Sequence, residues 1–155
     1  MESANENKNQ QLKEYAAKLE PLFRYIPFLK NKEGASTRTL LSGDGAPKSS
    51  VPVPVYDSTV LGFVKEAQST GLVTRNYVYP YSKLVGKNAT ADDERLAIAG
   101  AGFGEIDGVI AILAKYVLEG MTKGTRWSVA VEEGIWLHCL IKLKEILEIY
   151  DHPLA

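Results

Sequence analysis

The pattern of apolar and polar positions along this chain is helical over most of its length, and it is strongest between Glu105 and Tyr150. On a wheel turning about 100° per residue, Ile106, Val109, Ile110, Ile112, Leu113, Tyr116 and Val117 share one broad apolar arc, with Asp107, Gly108, Ala111, Lys115 and Glu119 opposite. Farther on, Ile135, Trp136, Cys139, Leu140, Leu143, Ile146, Leu147 and Tyr150 share a second arc, while His138, Lys142, Lys144, Glu145 and Glu148 face away. Both arcs are wider than a two-helix contact needs, so each helix is expected to touch at least two neighbours. If the second helix ran back unbroken, Trp127 and Val131 would fall on its polar side. A phase break at Gly134 removes the conflict. Thr125 then reads as an N-cap, residues 126–133 as a short helix, Gly134 as its left-handed stop and residues 135–150 as the long helix.

Upstream, Leu12, Tyr15, Leu19, Leu22, Phe23 and Ile26 recur at helical spacing and predict a helix from about residue 9 to residue 26. Pro21 is expected to kink or restart it, and Pro27 to end it. The polar residues 1–8 read as a flexible tail. Residues 33–56, rich in Gly, Pro, Ser and Thr, read as a long irregular connection. Its Val51-Pro-Val-Pro-Val55 portion is expected to lie extended without ladder bonds, as a surface linker or, in the functional alternative, a lid or peptide ligand. Asp57 or Ser58 caps a helix of residues 58–70 that has Val60, Phe63, Val64 and Ala67 on one face and Gly71 as its stop. Thr90 with Asp93 resembles a capping box opening a helix of residues 91–101, in which small residues admit a neighbouring backbone and Leu96, Ile98 and Phe103 provide grip. The sum is an all-α fold: one helical bundle of about five or six helices over residues 9–155, with one long irregular N-terminal linker.

Composition narrows the function classes. A chain of 155 residues fits one domain, burying on folding roughly 68–70% of the surface its unfolded chain exposes. The single cysteine excludes an internal disulfide and sits on an apolar stripe, so Cys139 reads as a core residue and the protein as cytoplasmic. The formal net charge of -1 argues against a generic nucleic-acid coat. There is no apolar run long enough for a membrane span and no apolar signal-peptide core near Met1. His138 and His152 are the only histidines, and with one cysteine they offer no zinc-ligand spacing, so neither a metal nor a cofactor is expected. Out of context Gly100-Ala-Gly-Phe-Gly104 looks like a phosphate loop. A helical pattern precedes it where the fingerprint needs a strand, and Glu105 and Asp107 would repel a phosphate.

Two groups of side chains stand out. Residues 67–91 contain no acid, yet carry Arg75, Lys83 and Lys87 among Tyr77, Tyr79 and Tyr81. In an extended segment the tyrosines would share one face, stacking bases while the cations neutralise phosphate. The competing expectation is that the rings pack against the helices, and it is favoured because three cations are a small electrostatic footprint. The second group, Arg126, Glu132, Glu133 and His138, gathers near the Gly134 junction. Arg126 and Glu133, two turns apart on one face, read as a structural ion pair. A general acid and base there would need a concave pocket and perturbed protonation.

Tyr77-Val-Tyr-Pro-Tyr81, Lys115-Tyr-Val-Leu-Glu-Gly120, Gly124-Thr-Arg-Trp-Ser128, Glu132-Glu-Gly134 and Leu140-Ile-Lys-Leu-Lys-Glu-Ile146 together resemble a family of small bacterial and phage proteins known only as domain of unknown function 6508. The resemblance covers about residues 55–150. It implies an all-helical domain whose shared feature is Arg126, Trp127, Glu132 and Gly134, and it supplies no activity, substrate or catalytic residue. The expected role is a non-catalytic binding module engaging a second copy, as a homodimer, or another protein partner. The runner-up is a nucleic-acid binder working through Arg75, Tyr77, Tyr79, Tyr81, Lys83 and Lys87. A third class, a small hydrolase or transferase at Arg126, Glu132 and His138, has no motif behind it.

Overall fold

The computed structural model describes residues 2–32, 38–40, 54–56, 58–87, 89–123 and 125–151. Among them the chain forms eight α-helices: α1 (Glu2–Phe23), α2 (Ile26–Lys32), α3 (Ser58–Ser69), α4 (Val78–Leu84), α5 (Ala91–Ala99), α6 (Ile106–Gly120), α7 (Thr125–Glu132) and α8 (Ile135–Asp151). Two 3-10 turns, Arg75–Tyr77 and Phe103–Glu105, lead into α4 and α6. The fold is all-α. The strands among the described residues are one short antiparallel pair, β1 (Arg38–Leu40) with β2 (Pro54–Tyr56), Thr39 facing Val55. No helix of the described residues is long and apolar enough to cross a membrane.

Helix count exceeds the expected six because two segments fold differently from their pattern. Pro21 lies in the last turn of α1, and Pro27 is the second residue of α2, where a missing N–H leaves no helical bond unmade. Proline therefore opens α2 instead of ending a helix. In α4, Pro80 likewise occupies the first turn, so the Tyr-Val-Tyr run is helical and not extended. A helical repeat then places Tyr77 and Tyr81 one turn apart and sends Tyr79 to the other side. At the N-terminus α1 already begins at Glu2, where a flexible tail was expected. Within the long connection, Pro54 opens β2, a strand position that tolerates proline, so ladder bonding does occur there. Val51–Val53, the Asp57 cap and His152 lie outside the described residues.

The core forms around α6, which packs against α3, α4, α7 and α8. Its buried set includes Gly108 and Ala111 as well as the apolar arc, because these small residues are where a neighbour closes in. A methyl at Gly108 would lie 2.8 Å from the Leu84 side chain of α4. In α8 the expected arc is buried from Ile135 to Leu147, with Trp136 and Cys139 fully enclosed. Trp136 rests on Phe63 of α3 at 4.7 Å between ring centres and donates from Nε1 to the Leu113 carbonyl at 3.3 Å. Burial pushes the Cys139 thiol well up, so it is an inert core residue.

The phase break lies where the wheel demands it. Gly134 has φ 71° between the end of α7 and the start of α8, the left-handed conformation that favours glycine. Thr125 is the first residue of α7 instead of its cap. The Thr90 capping box is complete: its Oγ1 accepts from the Asp93 N–H, and its own N–H donates to Asp93 Oδ2 at 2.9 Å. Leu96, expected to grip the core, is exposed, whereas Glu94 and Ile98 point inward.

Candidate functional site

At the crossing of α4 with α6 a cleft of ≈ 770 Å³ opens. The close contact of Leu84 with Gly108 fixes how the two helices cross. Leu84, Ile110, Ala111 and Ala114 give the cleft apolar lining. Tyr77, Tyr79, Pro80 and Lys83 line it from the 3-10 turn and α4, Tyr15 from α1, and Glu105 and Asp107 from the start of α6. Tyr15 Oη donates to Asp107 Oδ1 at 2.5 Å, tying α1 to α6. Burial, reinforced by the Asp107 carboxylate, pushes the Tyr15 phenol up to about 12, so the hydroxyl stays a donor at neutral pH.

A second polar group is centred on a buried carboxylate. Glu94 of α5 is 1% exposed, and its carboxylate accepts from Tyr116 Oη at 2.5 Å and Tyr81 Oη at 2.6 Å. Lys115 Nζ donates to Tyr81 Oη at 3.1 Å, lies 3.4 Å from Glu94 Oε2 and sits 4.5 Å from the Tyr81 ring centre. Glu119 continues the cluster, 3.2 Å from the Arg126 guanidinium, which itself lies over Tyr116. Burial and the Glu94 carboxylate raise both tyrosines far above the ordinary phenol value. Such hydroxyls hold their protons and act as donors, not as bases or nucleophiles. Three helices, α4, α5 and α6, are thereby stitched through one buried carboxylate, which explains how a charge can be carried inside the bundle, and Arg126 adds α7 at its edge.

The sequence-selected residues divide between these places. Tyr77, Tyr79 and Lys83 line the cleft, Tyr81 turns inward to Glu94, and Arg75 and Lys87 are exposed outside the cleft lining. Packing therefore claims two of the three rings, since Tyr81 is buried and Tyr77 packs half-buried on the core, while Tyr79 is 77% exposed. The expected Arg126–Glu133 pair does not form. Arg126 pairs with Glu119 of α6, and Glu133, in the turn after α7, receives Arg95 of α5 at 2.9 Å. Arg95 also pairs with Asp92. Trp127 is half-buried and donates from Nε1 to the Val117 carbonyl at 3.0 Å. Glu132 and His138 are half-buried on α7 and α8.

Glu94, Lys115, Tyr116, Tyr15, Glu105 and Asp107 are the residues that sequence reasoning left out of its candidate sites. For Glu94 a signal existed: it stands four residues before Ile98, on the same helix face. Tyr15 and Asp107 are 92 residues apart, and no local pattern could pair them. The chain matches no family model, no curated protein and no solved structure.

Proposed function

We propose that this protein is a non-catalytic binding module and that its partner docks over the cleft at the α4–α6 crossing. The observation that carries this reading is the combination of an apolar-lined cleft with exposed apolar residues on the same short helix: Val78 and Tyr79 of α4 are 58% and 77% exposed. Concave apolar surface with a few polar groups is the ordinary form of a binding site, and exposed apolar residues that adjoin such a surface, as consecutive Val78 and Tyr79 do, extend the area a partner can cover. The buried Glu94 cluster serves architecture, since its tyrosines are held protonated.

Nucleic acid is the second reading, carried by Lys83 and Tyr79 in the same cleft. Glu105 and Asp107 line it as well and oppose a polyanion. The resemblance to domain 6508 supports a related view of α7. We propose that Arg126, Trp127 and Gly134 form an architectural signature that seats α7 on α6, through Glu119 and Val117, and turns the chain into α8.

Capture from extract by the immobilised protein, with and without nuclease, tests both readings against Tyr79→Glu, a change at an exposed position. A protein retained by the wild type, insensitive to nuclease and lost with Tyr79→Glu, is the expected result. Retention only of nuclease-sensitive material would favour the nucleic-acid reading. Equal capture by wild type and Tyr79→Glu would remove the cleft as the docking face.

A further inference from the structure

We infer that the α4–α6 cleft recognises a cationic side chain carried by an apolar segment of the partner protein, the cation seated against Asp107 and Glu105 beside the tyrosine rings. This rests on the cleft being the docking site and specifies the chemistry it selects.

Charge is the first ground. Two carboxylates, Glu105 and Asp107, and one ammonium, Lys83, line the cleft, and among the described residues no ion pair neutralises any of them. Glu94 and Glu119, the acids packed deeper in the bundle beside α6, each have a basic partner within 4.0 Å. With two carboxylates against one ammonium, the cleft lining carries an excess of negative charge beside its apolar wall, which complements a cation. Tyr15 does not neutralise it, because its hydroxyl donates to Asp107 Oδ1 without cancelling the charge.

Aromatic lining is the second ground. Tyr15, Tyr77 and Tyr79 present rings to the same space, and ring faces attract cations most where water is partly excluded. The apolar lining from Ile110, Ala111 and Ala114 suits the methylene stem of a lysine, which buries its carbons while its head seeks a carboxylate. Lys83 on the α4 side repels further positive charge, which favours a segment with one cation over a polybasic one. The exposed Val78 and Tyr79 give the flanking apolar residues of a segment somewhere to lie, which a small free amine would not use.

Three probes of matched shape test this on the full chain labelled with nitrogen-15: the amides acetyl-Leu-Lys-Leu, acetyl-Leu-Gln-Leu and acetyl-Leu-Glu-Leu. The lysine peptide is expected to shift the amide signals of Gly104, Gly108 and Ala111 and to bind about fivefold more tightly than the glutamine peptide, the ratio one partly exposed cation contact supplies. The glutamate peptide should bind most weakly. Asp107→Asn combined with Glu105→Gln, both at exposed positions, should erase the ranking; the weakened Tyr15 bond and the lost helix-start acids lower the melting temperature by a few degrees, while amide signals away from α1 and the start of α6 stay in place. Lys83→Gln should strengthen the lysine peptide about twofold. Equal affinities for the three peptides, or a preference for glutamate, would overturn the charge inference and leave the docking site standing. Absence of shifts at the cleft amides with every peptide would overturn both.

Discussion

A methyl group on Gly120 would fall 1.9 Å from Nε1 of Trp127. The indole occupies the space a side chain at position 120 would need, and its N–H is spent on the Val117 carbonyl at 3.0 Å. The last turn of α6 and the first turn of α7 thus meet in a contact that only glycine permits, beside the Arg126–Glu119 pair. Gly120→Ala should expel the ring or displace α7, at about 1–3 kcal/mol for overpacking and somewhat more as the indole hydrogen bond is lost. Chemical denaturation measures the loss, and a red shift of tryptophan emission should accompany it. A Gly120→Ala protein that melts like the wild type would mean that α7 is not seated as described.

Gly134 makes a different demand, on backbone shape. With φ at 71°, Gly134→Ala is expected to destabilise by about 1 kcal/mol or more, and Gly134→Asn by less, because asparagine enters the left-handed region more readily. The ordering glycine, asparagine, alanine in urea midpoints distinguishes strain from any loss of packing. Equal midpoints for all three would mean that α7 and α8 tolerate a continuous helix.

Much of this architecture was legible because amphipathic helices announce themselves. The buried faces of α3 and α8 follow directly from their periodicity, and Thr90 with Asp93 carries its own capping geometry. Other parts were hidden for physical reasons. In Tyr77-Val-Tyr-Pro-Tyr81 the side-chain types favour a strand, and packing on α6 outweighs that propensity once Pro80 is placed in a first turn. Gly108 and Ala111 carry little apolar signal, yet they are where α4 closes on α6, so the wheel put them on the wrong side. Glu94 stands where a helix dipole favours an acid, and that sufficient explanation masked its inward direction. The cleft joins residues from α1, α4 and α6 and could be assembled only by the fold.

The tyrosines of α4 should separate cleanly in stability measurements. Tyr81→Ala removes a buried ring and one donor to Glu94, and about 3–5 kcal/mol should be lost. Tyr79→Ala, at 77% exposure, should change stability by no more than about 0.5 kcal/mol, and Lys83→Ala and Lys87→Ala should be equally silent. Thermal melts of the four variants check this. Salt-sensitive DNA or RNA binding by the wild type, abolished by Tyr79→Ala and Lys83→Ala without unfolding, would instead make this face a nucleic-acid surface.

The Glu94 cluster predicts an alkaline weakness with a definite sign. Tyr81 and Tyr116 have folded-state values raised above the unfolded phenol at 10.0, by burial first and by donation to Glu94 second. Below pH 10 both states keep the proton, and the stabilisation is fully present. As the pH rises beyond 10 the unfolded chain releases protons that the folded chain retains, so stability falls by up to about 1.4 kcal/mol per pH unit for each tyrosine. Tyr15, raised to about 12, adds to the decline in the same direction between those two values. The double variant Tyr81→Phe, Tyr116→Phe should behave in the opposite way at the two ends of the range. At pH 8 it should be less stable, by about 1–3 kcal/mol for each hydrogen bond withdrawn from a buried carboxylate. Between pH 10 and pH 11 its stability should fall less steeply than that of the wild type, since two of the responsible protons are gone. Urea denaturation at pH 8, 10 and 11 yields both quantities from the same samples. Parallel alkaline slopes in the two proteins would show that burial and Glu94 together do not hold these hydroxyls protonated, and the internal clamp of α4, α5 and α6 would have to be explained otherwise.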